Sequence, residues 1–161
     1  MLAMAAAGCK YFDGSDNDNL LLATKDEVPT AATFGSAPEK IWLDKAKENF
    51  RRGEYGLAER YFRQAIEERH SNVEAWLGLA ASYDRLKRFD EADRAYKIVT
   101  AMVGNTATVL NNLGYHYMLK GEFANAEKSL REAQEKEPNN PYVRNNLILL
   151  SNWKSKAGVS G

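Results

Sequence analysis

Apolar side chains recur along residues 39–150 with the i, i+3, i+4 spacing of amphipathic helices, and this pattern repeats every 34 residues. The positions that match at this period include Trp76 and Leu110, Leu79 and Leu113, Tyr83 and Tyr117, Phe89 and Phe123, Ala92 and Ala126, and Tyr96 and Leu130. Each period holds two helices. Because one such pair cannot bury its own apolar face, neighbouring pairs must stack on one another. The sequence therefore predicts an all-α solenoid without strands.

The period also sets the limits of the repeats. Three helix pairs are predicted at about residues 39–72, 73–106 and 107–140, and a single C-terminal capping helix at 141–155. The domain as a whole is expected to span residues 37–156.

Capping signals support these limits. Ser36 with Glu39, and Ser71 with Glu74, have the S-x-x-E spacing of a capping box, which would start the first helices of repeats 1 and 2. Asn140 is a good N-cap for the capping helix, and Gly121 is expected to end a helix in the left-handed conformation.

Repeat 1 is degenerate because Lys45 occupies the position that Leu79 and Leu113 hold in the other repeats. A terminal repeat is expected to be atypical, since one of its faces meets water. Leu113 is expected to lie in a core shared by repeats 2 and 3 and the capping helix.

A 34-residue period of paired helices resembles the tetratricopeptide repeat (TPR). The resemblance implies a TPR solenoid of three helix pairs plus the capping helix. It also implies a concave surface that holds an extended segment of another protein.

The same resemblance implies which residues face this groove, because positions 2, 5, 6, 9 and 12 of each first helix do so in the family. Repeat 2 places Glu74, Leu77, Gly78, Ala81 and Asp84 there; repeat 3 places Thr108, Asn111, Asn112, Tyr115 and Met118; the capping helix places Tyr142, Asn145, Asn146 and Leu149. The expected partner-binding residues are Leu77, Ala81, Asp84, Asn111, Asn112, Tyr115, Tyr142, Asn145 and Asn146.

The two asparagine pairs carry most of this hypothesis. An amide side chain both donates and accepts hydrogen bonds, so a ladder of amides can bind the backbone of an extended peptide whatever its sequence. This resembles the asparagine ladders of peptide-binding TPR proteins; the alternative is that the asparagines only cap or solvate the helices. A clamp for a terminal carboxylate is disfavoured, because Lys47 and Thr108 do not match its pattern.

Composition and motifs disfavour nucleic-acid binding, a membrane-spanning helix and catalysis. Lys plus Arg and Asp plus Glu number 22 each, so the net charge is zero and gives no general attraction to nucleic acid. No run of residues is long and apolar enough for a spanning helix. His70 and His116 belong to no catalytic or metal-binding motif, and no phosphate-binding loop is present. The sequence therefore predicts a protein that is not an enzyme and has no cofactor, metal or catalytic residue.

The N-terminus resembles the end of a bacterial lipoprotein signal, with Ala6, Ala7 and Gly8 before Cys9. This implies that residues 1–9 are the remnant of a signal, that Cys9 is lipidated, and that residues 10–36 form a flexible linker. Residues 157–161 are expected to be a disordered tail. The alternative for Cys9 is an incidental cysteine in an alanine-rich end, which would leave the protein in the cytoplasm.

The amino-acid sequence between the consensus positions of the repeats resembles that of the TadD-like TPR lipoproteins of the tight-adherence (Tad or Flp) pilus system. The stretches that carry it are WLGLAASYDRLKRFDEADRAY at 76–96, LNNLGYHYMLKG at 110–121 and NPYVRNNL at 140–147. The resemblance implies an outer-membrane lipoprotein that faces the periplasm and supports assembly of the secretin or another pilus component. Two alternatives stay open: a generic periplasmic or cytosolic TPR adaptor, and an accessory subunit of a cell-envelope enzyme.

Overall fold

The computed structural model describes residues 38–158. Over this range the chain forms seven α-helices and no strand, which confirms the predicted all-α fold. The helices are α1 (Pro38–Arg51), α2 (Tyr55–Glu68), α3 (Val73–Arg85), α4 (Phe89–Val103), α5 (Ala107–Lys120), α6 (Phe123–Lys136) and α7 (Pro141–Lys156). We call α1, α3, α5 and α7 the first helices, and α2, α4 and α6 the second helices. Cys9, the 10–36 segment and Ser36 lie outside the described residues.

The helices fall into two compact units. The N-terminal unit contains α1 to α4 and ends at Gly104. In it α1 packs on α2, α3 on α4, α2 on α3, and α1 touches α3. Its fully buried side chains include Ala46, Phe62 and Val99.

Helix α3 approaches α2 closely because residue 78 is glycine. A Cβ atom on Gly78 would lie 2.2 Å from Cζ of Phe62, whose ring is fully buried. Gly78 is therefore a packing residue of the contact between α2 and α3. Its assignment to the partner-binding groove is wrong, because the space beside it is already filled by the phenylalanine ring.

The C-terminal unit contains α5, α6 and α7. Leu130 of α6 is fully buried beside Met118 and Leu150, and Leu110 packs with Ala133 and Val143. A Cβ atom on Gly114 would lie 2.5 Å from Cγ of Leu130, so the absence of a side chain at this position permits a close approach of α5 and α6.

Leu113 is only half-buried, although the sequence predicts that it lies in a core shared by repeats 2 and 3 and the capping helix. Leu110 and Met118, on the same helix, are the fully buried residues instead. Consensus spacing locates the apolar face of α5, but the packing of its neighbours decides which side chains on that face are sealed from water.

The turn inside each helix pair uses one left-handed residue, and these residues also follow the 34-residue period. They are Gly53 (φ 77°), Lys87 (φ 58°) and Gly121 (φ 77°). The prediction for Gly121 is confirmed, since it caps α5 in the left-handed conformation. Lys87 is the one non-glycine residue with positive φ within the described range, and its Cβ makes this conformation less favourable.

The N-cap of α3 differs from the prediction by one residue, although the helix begins at Val73. Asn72 is the N-cap, and its side-chain oxygen accepts a hydrogen bond from the backbone N–H of Ala75 (2.9 Å). The Ser71–Glu74 capping box is therefore wrong. The reason is tertiary: the amide of Asn72 also donates to the carboxylate of Glu39 on α1, a contact that Ser71 does not make.

The start of α7 is as predicted. The side-chain oxygen of Asn140 accepts hydrogen bonds from the N–H groups of Tyr142 (2.9 Å) and Val143 (3.3 Å), and Pro141 follows at the first helical position. At the other end, the backbone N–H of Ala157 donates a hydrogen bond to the carbonyl of Trp153. Ala157 therefore caps α7, although the sequence analysis placed it in the tail of residues 157–161.

Lys45 is exposed, as expected for the open first repeat. Its ammonium lies 4.8 Å from the ring centre of Trp42, and Trp42 stacks on Tyr61 of α2 with 5.9 Å between the ring centres. An aromatic pair covered by a cation thus replaces the aliphatic contact that leucine makes in the other repeats.

Candidate partner-binding surface on the first helices

The three predicted groove residues of the N-terminal unit lie on α3, and two of them are inaccessible. Leu77 is 4% exposed and Asp84 is 3% exposed, whereas Ala81 is half-buried. The carboxylate of Asp84 accepts a hydrogen bond from the hydroxyl of Tyr96 on α4 (2.9 Å). Asp84 therefore joins the two helices of its own pair, and almost none of its surface is open to a ligand.

An ion pair crosses between the first helices of this unit. Nζ of Lys47 on α1 lies 3.1 Å from Oε1 of Glu74 on α3, and the Glu74 side chain is 7% exposed. Such a pair compensates the cost of burying the carboxylate. It also means that the positive charge of Lys47 is already neutralised within the protein.

An amide pair makes the equivalent link in the C-terminal unit. Nδ2 of Asn146 on α7 donates a hydrogen bond to Oδ1 of Asn111 on α5 (2.9 Å). Asn111 is 2% exposed, so the bond satisfies an acceptor that has almost no access to water. The amide of Asn112 donates to the backbone carbonyl of Thr108 in its own helix (2.9 Å).

The predicted asparagine ladder is thus partly used inside the protein. Asn111, Asn112 and Asn146 each form a side-chain hydrogen bond within the protein. This arrangement is closer to the alternative in which the asparagines only cap or solvate the helices. Asn145 is exposed and makes no side-chain hydrogen bond with other described residues.

Two aromatic residues accompany these amides. Tyr115 of α5 and Tyr142 of α7 are both half-buried, so part of each side chain remains open to a ligand. With Asn145 and the half-buried Asn146, they are the accessible members of the predicted set in this unit. Whether they bind a partner stays a prediction.

A further cluster of charged residues lies where α2 meets the turn between α3 and α4. The guanidinium of Arg88 pairs with Glu91 (2.8 Å) and Glu59 (2.9 Å) and lies 4.7 Å from the ring centre of Tyr83. The hydrogen bond from Arg88 lowers the pKa of the Glu91 carboxyl, and the same bond raises the pKa of Arg88. This cluster fixes the turn and holds no feature that points to a ligand.

Sequence reasoning missed both Lys47–Glu74 and the Arg88 cluster. Opposite charges at corresponding faces of neighbouring first helices are the signal that could have indicated the first. The Arg88 cluster depends on the conformation of the turn at Lys87, which the repeat consensus does not specify.

The chemistry of the remaining polar residues is limited. His116 is fully buried within α5, so its ring cannot reach a substrate in solution. His70 is exposed, and its ring packs edge-on against Trp76 with 5.3 Å between the ring centres. Residues 38–158 contain no group of His, Cys, Asp and Glu side chains arranged to hold a metal ion. None of the helices in this range has the length and hydropathy needed to cross a membrane.

Comparison with known proteins identifies the class. Two family models described as tetratricopeptide repeat match residues 43–93 and residues 107–140. The first TPR domain of human RPAP3 superposes with a TM-score of 0.66 at 21% sequence identity, over 79% of this chain and 100% of that domain. The chain is therefore a tetratricopeptide-repeat protein.

Other solved structures share the fold. The first TPR of Spaghetti (RPAP3), bound to an HSP90 peptide, has a TM-score of 0.63 at 21% identity and covers 75% of this chain and 96% of its own. The Yersinia enterocolitica type III secretion chaperone SycD, in complex with a peptide of the translocator YopD, has a TM-score of 0.62 at 22% identity and covers 78% of this chain and 95% of its own. No curated protein sequence matches this chain.

Proposed function

We propose that this protein is a non-catalytic scaffold that binds an extended segment of a partner protein along α5 and α7, the first helices of its C-terminal unit. The observation that carries the proposal is the cluster of accessible aromatic and amide side chains in the C-terminal unit. Tyr115, Tyr142 and Asn145 are partly or fully open to solvent beside the hydrogen-bonded pair Asn111 and Asn146. Tyrosine rings can cover apolar side chains of a ligand while an amide binds its backbone.

The peptide complexes of similar fold support this kind of ligand, since the Spaghetti domain holds an HSP90 peptide and SycD holds a YopD peptide. The HSP90 peptide ends in the acidic sequence EEVD. An acidic terminus is a poor ligand here, because Lys47 is already paired with Glu74. We therefore propose an internal, extended segment as the ligand.

The particular role that we propose is support of Tad/Flp pilus assembly by an outer-membrane lipoprotein facing the periplasm. It rests on the resemblance of residues 76–96, 110–121 and 140–147 to TadD-like proteins and on the lipobox-like residues before Cys9. The secretin or another pilus-assembly component would supply the bound segment. A generic adaptor, an accessory subunit of an envelope enzyme and a cytoplasmic location remain the alternatives.

Site-specific photocrosslinking in cells that assemble such pili tests the binding surface. A photoreactive residue at position 142 should capture a pilus-assembly component, whereas one at position 61 should not. Tyr61 is a suitable control because it is also a half-buried tyrosine but lies on the second helix α2. Capture of the same component from both positions would contradict a site on the first helices.

Affinity measurements on the captured component make the test quantitative. Tyr142→Ala with Asn145→Ala should weaken binding about tenfold or more, from lost aromatic contact and one or two hydrogen bonds of about 0.5–1.5 kcal/mol each. Asn125→Ala, at an exposed asparagine on α6, is the control and should leave binding unchanged. Wild-type affinity in the double variant would place the site on another surface.

The lipid anchor has a separate test. Expressed behind a complete signal sequence, the protein should partition into detergent, and Cys9→Ser should release it into the soluble periplasm. A wild-type protein that is equally soluble would contradict lipidation. Pilin, secretin and ATPase genes beside the coding sequence would distinguish the pilus role from both alternatives.

A further inference from the structure

One side of α5 is polar but carries no charge. It is formed by residues at the i, i+3, i+4 and i+7 spacing: Thr108, Asn111, Asn112 and Tyr115. Their polar groups are hydroxyls and amides, which carry no charge at neutral pH. Of Lys, Arg, Asp and Glu, the helix contains only Lys120, in its last turn. Nζ of Lys120 lies 3.1 Å from a carboxylate oxygen of Glu122.

Helix α7 has a similar uncharged side. Its residues at the same spacing are Tyr142, Asn145, Asn146 and Leu149. The hydrogen bond from Asn146 to Asn111 (2.9 Å) joins this side to that of α5, so the two sides form one surface. We call this surface the α5–α7 face.

The charged residues of α7 lie away from this face. Arg144 follows Tyr142 by two residues, which places it about 200° around the helix axis. Nζ of Lys154 lies 3.0 Å from a carboxylate oxygen of Glu127, so it is paired on the side of α7 that meets α6. Lys156 is the last residue of the helix. The α5–α7 face therefore has no charge of its own to pair with a charged ligand.

The same repeat positions are charged in the N-terminal unit. Lys47 of α1 stands two periods before Tyr115, and Glu74 of α3 stands one period before Thr108. These two charged residues form an ion pair of 3.1 Å. The fold therefore accepts charges at these positions. Their absence from α5 and α7 is a property of this surface and not a requirement of helix packing.

The α5–α7 face can bind a peptide backbone and apolar side chains without any ion pair. Asn145 is exposed and makes no side-chain hydrogen bond with other described residues, so its amide can both donate and accept. The half-buried rings of Tyr115 and Tyr142 can cover apolar side chains. A charged side chain brought against this face loses hydration and gains no counter-charge, which disfavours its binding.

We propose that the segment bound by the α5–α7 face is itself uncharged. It is an extended stretch of about six residues without Asp, Glu, Lys or Arg, since two packed helices span about 20 Å and an extended residue covers about 3.3 Å. Apolar side chains alternate in it with Ser, Thr, Asn or Gln, because successive residues of an extended chain point to opposite sides. This rests on the partner-binding function proposed for α5 and α7 and adds the chemical class of the ligand.

A peptide library tested on the full chain measures the ligand class. The probe is a pool of peptides with about six randomised positions, acetylated and amidated so that their ends carry no charge. In the bound fraction, Asp, Glu, Lys and Arg should each fall to about one fifth or less of their input frequency, because each is desolvated without a partner. Enrichment of any of the four, or a bound fraction with the composition of the input, would overturn the proposal.

A charge placed on the face changes the selection in a defined direction. Asn145→Lys supplies a cation at an exposed position and should enrich Asp and Glu several-fold in the bound fraction relative to the wild type. Asn125→Lys adds the same charge to an exposed residue of α6 and is the control, which should leave the selection unchanged. The same bound composition from the wild type and Asn145→Lys would count against the proposal.

Salt dependence provides a second readout. The Kd of the most enriched peptide should change less than about twofold between about 0.05 and 0.5 M salt, because binding involves no ion pair that salt can screen. A weakening of about tenfold over this range would show that charge contributes to binding, and the proposal would be wrong.

The double variant Tyr142→Ala with Asn145→Ala separates failure of this proposal from failure of the binding surface. It should weaken binding of the enriched peptide about tenfold or more. A charged peptide that binds the wild type and is weakened by the double variant would overturn the uncharged ligand and leave the partner-binding function standing. A peptide that binds both proteins equally would contradict the site on α5 and α7 as well.

Discussion

The side-chain amide of Asn146 donates a hydrogen bond to the side-chain oxygen of Asn111, joining α7 to α5 over 2.9 Å. Asn111 is 2% exposed, so water cannot replace its partner. The two asparagines that the sequence assigned to a ligand therefore also hold the capping helix to the last full repeat. A substitution at either position therefore lowers the stability of the fold, whatever it does to the affinity for a ligand.

The first prediction follows from this bond. Asn146→Ala leaves the buried acceptor of Asn111 unsatisfied and should lower the free energy of unfolding by about 1–3 kcal/mol. Asn145→Ala, at the exposed neighbouring residue, should change it by less than about 0.5 kcal/mol. Chemical denaturation of both variants makes the measurement. Equal losses would mean that the hydrogen bond does not contribute to stability.

The second prediction concerns two glycines. Gly78→Ala places a methyl group 2.2 Å from the buried ring of Phe62 and should destabilise the protein by about 1–3 kcal/mol. Gly56→Ala, in helix α2, meets nothing within 4 Å and should stabilise it by up to about 1 kcal/mol. Thermal unfolding should therefore shift in opposite directions for the same chemical change. A shift in the same direction would refute the close contact of α2 and α3.

The third prediction uses the left-handed turn residues. Lys87→Gly should stabilise the protein by roughly 0.5–1 kcal/mol, because it removes the steric cost of a side chain at φ 58° at a smaller cost in chain entropy. Gly121→Lys, at the equivalent turn, should destabilise it by about 1–2 kcal/mol. Denaturant midpoints measured on the two variants provide the test. No change in either would show that the turns can relax to negative φ.

The fourth prediction concerns the core of the C-terminal unit. Leu130 is fully buried and Leu113 only half-buried, although both occupy consensus positions. Leu130→Ala should therefore cost about 2–5 kcal/mol through lost burial and a cavity. Leu113→Ala should cost less, roughly 1–2 kcal/mol. A larger loss at Leu113, measured in urea, would restore the original expectation for that residue.

The fifth prediction is a pH dependence. Hydrogen bonds from Lys154 and then Arg131 lower the pKa of the Glu127 carboxyl below its usual range. Because the folded-state pKa is the lower one, this group contributes stability that is complete above the unfolded-state pKa of about 4.3 and is lost as pH falls through the folded-state pKa. The stability difference between the wild type and Glu127→Gln should thus be constant above about pH 5 and shrink below about pH 4.

Glu135→Gln is the control for that measurement. Glu135 is exposed on the same helix and forms no ion pair with the other described residues. Its stability difference from the wild type should show no comparable loss at low pH. A difference for Glu127→Gln that is independent of pH would contradict a role for the ionised carboxylate in joining α6 to α7.

The sequence by itself determined the class of fold, the seven helices of residues 38–158 and the approximate places where they begin and end. A 34-residue period fixes these because each repeat meets the same packing problem, and local signals such as Asn140 and Gly121 act within their own turn. What only the tertiary structure decided is how individual side chains are used. Asn72 rather than Ser71 caps α3 because Glu39 lies beside it.

The same holds for the candidate site. The resemblance to the TPR implied that Gly78, Asp84 and Asn146 face the groove, yet each lies against a residue of another helix: Phe62, Tyr96 and Asn111. Each of these contacts joins residues from different helices, between 12 and 35 positions apart in the sequence. Repeat spacing specifies which face a residue occupies, but whether that residue is open to a ligand depends on the length and chemistry of the side chain packed against it.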